Sequence, residues 1–175
     1  MKLLVTGLAA LAAAVPLTGV ATAAPPAPEV PGGIAVDEGN KPFLVGHAIG
    51  VQIYRCNGAR WSLHAPRANL YGDNGKLIAT HSGGPSWQAK DGSKVVGRRI
   101  KDPITVDPTA IAWLLIEPTS VTAGADGDRL AGTTFIQRIG TVGGLAPAAS
   151  TCSAGTAGAE VEEPYTADYI FWKKS

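Results

Sequence analysis

Three turn dipeptides constrain this chain more than any other feature. Asn57-Gly58, Asn74-Gly75 and Asp91-Gly92 each fall between short runs rich in β-branched and aromatic residues. An Asn-Gly or Asp-Gly pair supplies the positive φ of a tight hairpin turn, so each reads as a link between antiparallel strands. The flanking runs are residues 50–56 and 60–65, then 67–71 and 77–81, then 86–90 and 94–100. Residues 111–116 are apolar at every position, as expected of a strand covered on both faces. Runs 133–139 and 165–172 complete a set of about nine short strands. With 22 Gly and 13 Pro among 175 residues, the chain is interrupted too often for long helices. The pattern predicts an all-β fold, a single antiparallel β-sandwich or β-barrel.

The N-terminus reads as a secretory signal peptide over residues 1–23. Lys2 forms a positive start, an apolar stretch follows, and Ala21-Thr22-Ala23 fits the small-x-small rule for cleavage before Ala24. An uncleaved membrane anchor is the rival reading of this short, Ala-rich segment. No later stretch approaches about 18 apolar residues, so no transmembrane segment is expected after cleavage. Residues 24–45, with Pro25, Pro26, Pro28, Pro31 and Gly32-Gly33, read as an extended lead-in to a β-rich domain over 46–175. Localisation is therefore expected to be secreted, extracellular or periplasmic. In that compartment the two cysteines, Cys56 and Cys152, read as one disulfide. Neither has a His or second Cys within four residues, against the rival readings of a metal pair or a reactive thiol. The formal charge is +1, and removal of Lys2 brings it to zero. The balance carries no basic footprint for nucleic acid.

Several segments together resemble one family. They are Gln52-Ile53-Tyr54 with Cys56, His81-x-Gly83-Gly84-Pro85-x-Trp87, and Asp91-Gly92-Ser93. They continue with Phe135-Ile136-Gln137-Arg138, Thr141, Gly143-Gly144, Pro147 and Cys152, and end at Tyr165-Thr166-Ala167-Asp168-Tyr169-x-Phe171. The ordered set, from about residue 45 to 172, resembles the secreted bacterial and fungal family catalogued as domain of unknown function 3455. That resemblance implies no activity. Some fungal relatives are labelled malate dehydrogenase-like, but this chain has neither a G-x-G-x-x-G turn nor a βαβ alternation. The resemblance leads one to expect a bulkier residue where Gly83-Gly84-Pro85 stands, so a pocket at His81 is expected to be more open here.

Polar residues inside apolar strands are the informative ones, because a buried amide or charge is costly unless bonded. Gln52 alternates onto the face of Tyr54 and Cys56, Gln137 onto that of Phe135 and Ile139, and Arg138 onto that of Ile136. Arg138 and Asp168 are expected to form a buried bidentate pair. These groups read either as a network fixing strand register or as the polar floor of a pocket. His81, at a strand end beside a Gly-Gly-Pro turn, is a turn-stabilising residue or a ligand-binding one. Trp113 is expected in the core. Trp87 is core by default and also the best candidate for an exposed stacking platform. The tentative ligand-binding set is thus His81, Trp87, Gln52, Gln137 and Arg138.

Catalytic signals are weak. His81, Asp91 and Ser93 supply the residue types of a serine triad, but no G-x-S-x-G elbow accompanies them. Glu162-Glu163 read as a solvated turn, Asp126-Gly127-Asp128 as a plain turn, and residues 140–160 as a long loop carrying Cys152. No metal site and no cofactor is expected. The first reading is a disulfide-stapled binding or surface-interaction module, with a cell-wall glycan or a small apolar ligand as partner. The alternatives are an extracellular hydrolase using His81 with a nearby carboxylate, and a structural protein associated with the cell envelope.

Overall fold

The computed structural model describes residues 24–175; the signal-peptide reading falls on residues outside that range. Eight antiparallel strands close into one barrel: β1 (Asn40–Cys56), β2 (Trp61–Tyr71), β3 (Leu77–Ser82), β4 (Ser86–Ala89), β5 (Lys94–Arg99), β6 (Leu114–Thr122), β7 (Phe135–Gly143) and β8 (Glu160–Lys174). Neighbours in sequence are neighbours in space, and β8 pairs with β1 to close the ring. The seam is long, running from Asn40 opposite Lys174 to Arg55 opposite Glu160. No α-helix occurs among the described residues; three short 3₁₀ turns lie at Gly32–Ile34, Ala149–Thr151 and Ala154–Thr156.

The fold is therefore the barrel, not the sandwich, and it has eight strands where nine were counted. The runs 60–65 and 67–71 join through Pro66 into one strand. Pro66 lies within β2 and is paired opposite Gln52. Proline is tolerated there because β3 joins β2 only from Ala68 onward, so the missing N–H faces no partner. Residues 40–45, read as lead-in, already belong to β1. Glu162 and Glu163, read as a turn, belong to β8, where Glu162 meets Arg67 at 2.7 Å. The loop read over 140–160 shortens at both ends, since β7 continues to Gly143 and β8 starts at Glu160.

The interior follows the alternation of the strands, broken at bulges such as the one on β2–β3 that leaves both Ile78 and Ala79 in the core. Ala48, Ala68, Leu70, Ala79, Trp87, Val95, Ile116, Ile136, Tyr165, Tyr169 and Phe171 pack inside. Gly50 lets β1 and β2 approach: a Cβ there would lie 2.2 Å from the Arg67 carbonyl oxygen. An eight-stranded barrel is just wide enough to be filled by side chains or to hold one small ligand.

A second apolar cluster lies outside the wall. Ile34, at 0% exposure, covers Leu115, Ile139, Ile170 and Trp172, with Val30, Val36 and Trp113 around them. Inward Ile116 and outward Leu115 explain why that strand is apolar on both faces. Trp113 joins this outer cluster, half-buried, and not the barrel core. Elsewhere the outer wall carries ion pairs, Arg55 with Glu160, Arg67 with Glu162 and Arg98 with Glu117. An apolar interior with a charged outer wall is the reverse of a membrane barrel's pattern. The cysteines form the disulfide Cys56–Cys152, with Cα atoms 5.5 Å apart. It ties the end of β1 to the segment between β7 and β8. A cross-link enclosing about 100 residues stabilises by roughly 2–5 kcal/mol.

Candidate functional site

β2 outruns its partner β3, and the barrel opens where it does so. The stretch Leu63–Pro66, paired with β1 but with no strand on its β3 side, faces the β3–β4 turn, Gly83-Gly84-Pro85, and between them a cavity of about 270 Å³ reaches into the barrel. Its walls are Leu63, Ala65, Pro66, Leu114 and Ile116; its floor is Gln52, His81, Trp87, Arg138 and Tyr169; Arg99 and His64 stand at the rim. The small turn residues leave the mouth open, and a Cβ at Gly84 would meet nothing within 4 Å.

The floor is an aromatic stack. The His81 ring lies parallel to Trp87, centroids 4.5 Å apart, and Tyr169 tilts against both. Trp87 is 0% exposed, so it is no surface platform; the Pro85-Ser86 turn folds it inward, and Gly97 beside it admits Ile116, whose Cγ2 a Cβ there would meet at 2.6 Å. His81 Nδ1 lies 2.9 Å from the Ser86 carbonyl oxygen. A carbonyl only accepts, so Nδ1 carries the proton and Nε2 is left as an acceptor. Burial pushes the His81 pKa down to about 4, helped by the positive Arg138 nearby and opposed by the Ser86 bond. His81 is therefore neutral at pH 7. Burial also raises the Tyr169 and Tyr165 phenols, whose hydroxyls sit 3.3 Å apart, so both keep their protons.

Two buried donors on this floor, Gln52 Nε2 and Trp87 Nε1, have no hydrogen-bond partner among the described residues. Each such orphan costs about 1–3 kcal/mol. Arg138 donates from Nε and Nη2 to the Ala112 carbonyl oxygen, at 3.2 and 2.7 Å. It has no ion-pair partner among the described residues.

Four of the five residues singled out in the sequence meet at this cavity: Gln52, His81, Trp87 and Arg138. Gln137 lies on the other side of the wall, where Nε2 donates to the Ile34 carbonyl oxygen (2.7 Å) and Oε1 accepts from Trp172 Nε1 (2.9 Å). The expected Arg138–Asp168 pair is absent. Arg138 stands opposite Tyr169, and Asp168 opposite Ile139, so Asp168 faces outward. There it bonds His47 Nδ1 at 2.7 Å, while Asp73 takes His47 Nε2 at 2.9 Å. Burdened from both sides by carboxylates, His47 is held above its ordinary pKa.

The residues of the hydrolase reading do not converge. The Asp91 carboxylate accepts from the Ser93 amide and hydroxyl and from the Arg129 amide, organising the 124–130 loop. His81 makes no hydrogen bond to any carboxylate among the described residues. Among those residues no group of three or more His, Cys, Asp and Glu is placed to hold a metal.

Sequence reasoning missed Tyr169, Leu114 and Arg99. Tyr169 was legible: Tyr165, Ala167, Tyr169 and Phe171 alternate onto one face of β8. Arg99 carried no pattern, since its place at the rim depends on the barrel's closure.

No curated protein and no solved structure matches the chain. The profile of the family described as "Protein of unknown function (DUF3455)" matches residues 37–173, which spans every strand except the last residue of β8. The chain belongs to that family.

Proposed function

We propose that this is an exported binding protein that holds one small molecule in the open end of its barrel. The observation that carries this reading is the pair of unpartnered buried donors, Gln52 Nε2 and Trp87 Nε1, on the floor of an open, mostly apolar cavity. Folded proteins rarely bury donors without partners, and a ligand acceptor offsets that cost. Ligand sites combine apolar walls with a few convergent polar groups, which is the composition here. At about 270 Å³ the cavity falls just below the roughly 300–1,000 Å³ typical of drug-sized ligands, which suits a compact molecule better than a glycan chain. The disulfide and the leader both favour the oxidising side of a membrane.

The test is thermal unfolding of the oxidised protein, produced by export, against a panel of small aromatic and aliphatic compounds. A ligand at about 100 times its Kd adds roughly 2.7 kcal/mol. That corresponds to a rise of about 5–10 °C for a domain of this size. Binders whose effect disappears in Trp87→Phe support the reading. A flat panel over a cooperative transition overturns it.

A further inference from the structure

The charge of the cavity narrows the class of ligand, given that the cavity binds one. The unpartnered buried groups on its floor, and its one charged group, are donors. Trp87 Nε1 and Gln52 Nε2 are donors without partners. The Arg138 guanidinium has five N–H groups, and the Ala112 carbonyl accepts from only two of its three nitrogens. The acceptors on the floor, His81 Nε2, Gln52 Oε1 and the Tyr169 hydroxyl that Arg138 also bonds, are all uncharged. The lining contains two arginines, Arg138 and Arg99, and no Asp or Glu. Three outer-wall arginines face carboxylates: Arg55 has Glu160, Arg67 has Glu162 and Arg98 has Glu117. The two cavity arginines, Arg138 inside and Arg99 at the rim, have no carboxylate partner among the described residues.

A guanidinium is always charged and matches a planar carboxylate through two parallel bonds. Beside that charge lies a flat, uncharged surface, the His81–Trp87 stack, whose rings are parallel to within 7°. Leu63, Leu114 and Ile116 face it. We infer that the ligand is a small organic monocarboxylate with a flat or slender apolar body, its carboxylate held by Arg138 with Gln52 and its body lying along the His81–Trp87 stack. The proposal rests on the binding reading above but fails separately from it.

Titration calorimetry on the oxidised, exported protein compares matched probes: benzoate with benzyl alcohol and benzylamine, and hexanoate with hexanol. The carboxylates are expected to bind about tenfold or more tighter than the alcohols, because charge-assisted hydrogen bonds outweigh neutral ones. Benzylamine is expected not to bind. On adding benzoate, the Trp87 indole N–H resonance is expected to move while that of Trp172, already bonded to Gln137, stays. Arg138→Gln is expected to bring acid and alcohol within about twofold of each other. Arg138→Lys is expected to fall between, keeping the charge and losing the fork. If Arg138→Gln does not fold, the unmodified protein still decides through the probe series. Alcohols binding as well as acids, or benzylamine binding best, would overturn the monocarboxylate and leave the pocket. No binding by any probe would overturn both.

Discussion

Two Gln–Trp pairs face opposite sides of the barrel wall and differ in one respect. Gln137 and Trp172 lie under the N-terminal segment, 0% and 7% exposed; Gln52 and Trp87 lie inside, 1% and 0% exposed. The outer pair is closed: Gln137 bonds both Ile34 and Trp172. The inner pair leaves its amide and indole N–H groups without acceptors. Burial, residue type and fold are shared, so none of them accounts for the difference. What differs is surroundings: the outer pair is covered by the Ile34 segment, which supplies an acceptor, whereas the inner pair borders a cavity. Buried groups fully paired stabilise a structure; buried groups left unpaired destabilise it and await a partner.

The widest gap between the two sites is expected in their responses to the same substitution. Gln137→Met strips the Trp172 indole and the Ile34 carbonyl of a partner, and is expected to cost about 2–4 kcal/mol. Gln52→Met removes a donor that was already unpaired, gives up only the amide's bond to the Tyr165 hydroxyl and nearly conserves volume, so its cost is expected to stay within about 1 kcal/mol. Urea unfolding of both variants measures the difference directly. Equal losses would mean that Gln52 is as well satisfied as Gln137, and the contrast between the sites would collapse.

This contrast shows how far the sequence could be read. Alternation put Gln52 with Tyr54 and Gln137 with Ile139, and placed Arg138 on the opposite face from Gln137, because side-chain direction in a strand has period two. What alternation does not supply is the sign: which of two faces is the interior. With Ile34 covering β6, β7 and β8, both faces are apolar, and Gln137 on the outside looks the same in sequence as Gln52 on the inside. Register was equally hidden. Arg138 and Asp168 are compatible in charge, but β7 and β8 pair Arg138 with Tyr169, and a one-residue offset sends the carboxylate to the other face. Trp87 was hidden for a different reason. A Gly-Pro turn marks a surface, yet the turn itself folds the next residues inward.

Acid sharpens the comparison on the inner side. His81 holds a pKa of about 4 in the folded chain, against about 6.5 unfolded. Between those values the unfolded chain binds a proton that the folded chain refuses. Stability is therefore present above pH 6.5 and is lost as pH falls toward 4. At about 1.4 kcal/mol per unit, the loss reaches roughly 3 kcal/mol. Unfolding midpoints measured from pH 7 to 4 are expected to fall along that curve, and His81→Asn to flatten it. A wild-type profile flat across this window would show that His81 is not sealed against protonation, and with it that the floor of the cavity is wetter than its burial implies.

The outer wall has its own histidine, and it titrates with the opposite sign and a smaller amplitude. His47 on β1 bonds Asp73 in the β2–β3 turn and Asp168 on β8, and these two carboxylates raise its pKa. Its contribution is fully present below the unfolded value of about 6.5 and is lost as pH rises through the higher folded value. The His47 side chain is 44% exposed and that of Asp73 91%, so solvent screening holds the effect below about 1 kcal/mol. His47→Asn is expected to remove a shallow alkaline decline and to leave the steeper acid loss from His81 untouched. Raising salt is expected to erase the His47 component alone, because its charges face water whereas the His81 shift comes first from burial. Loss of both components in salt would place His81, too, within reach of bulk ions.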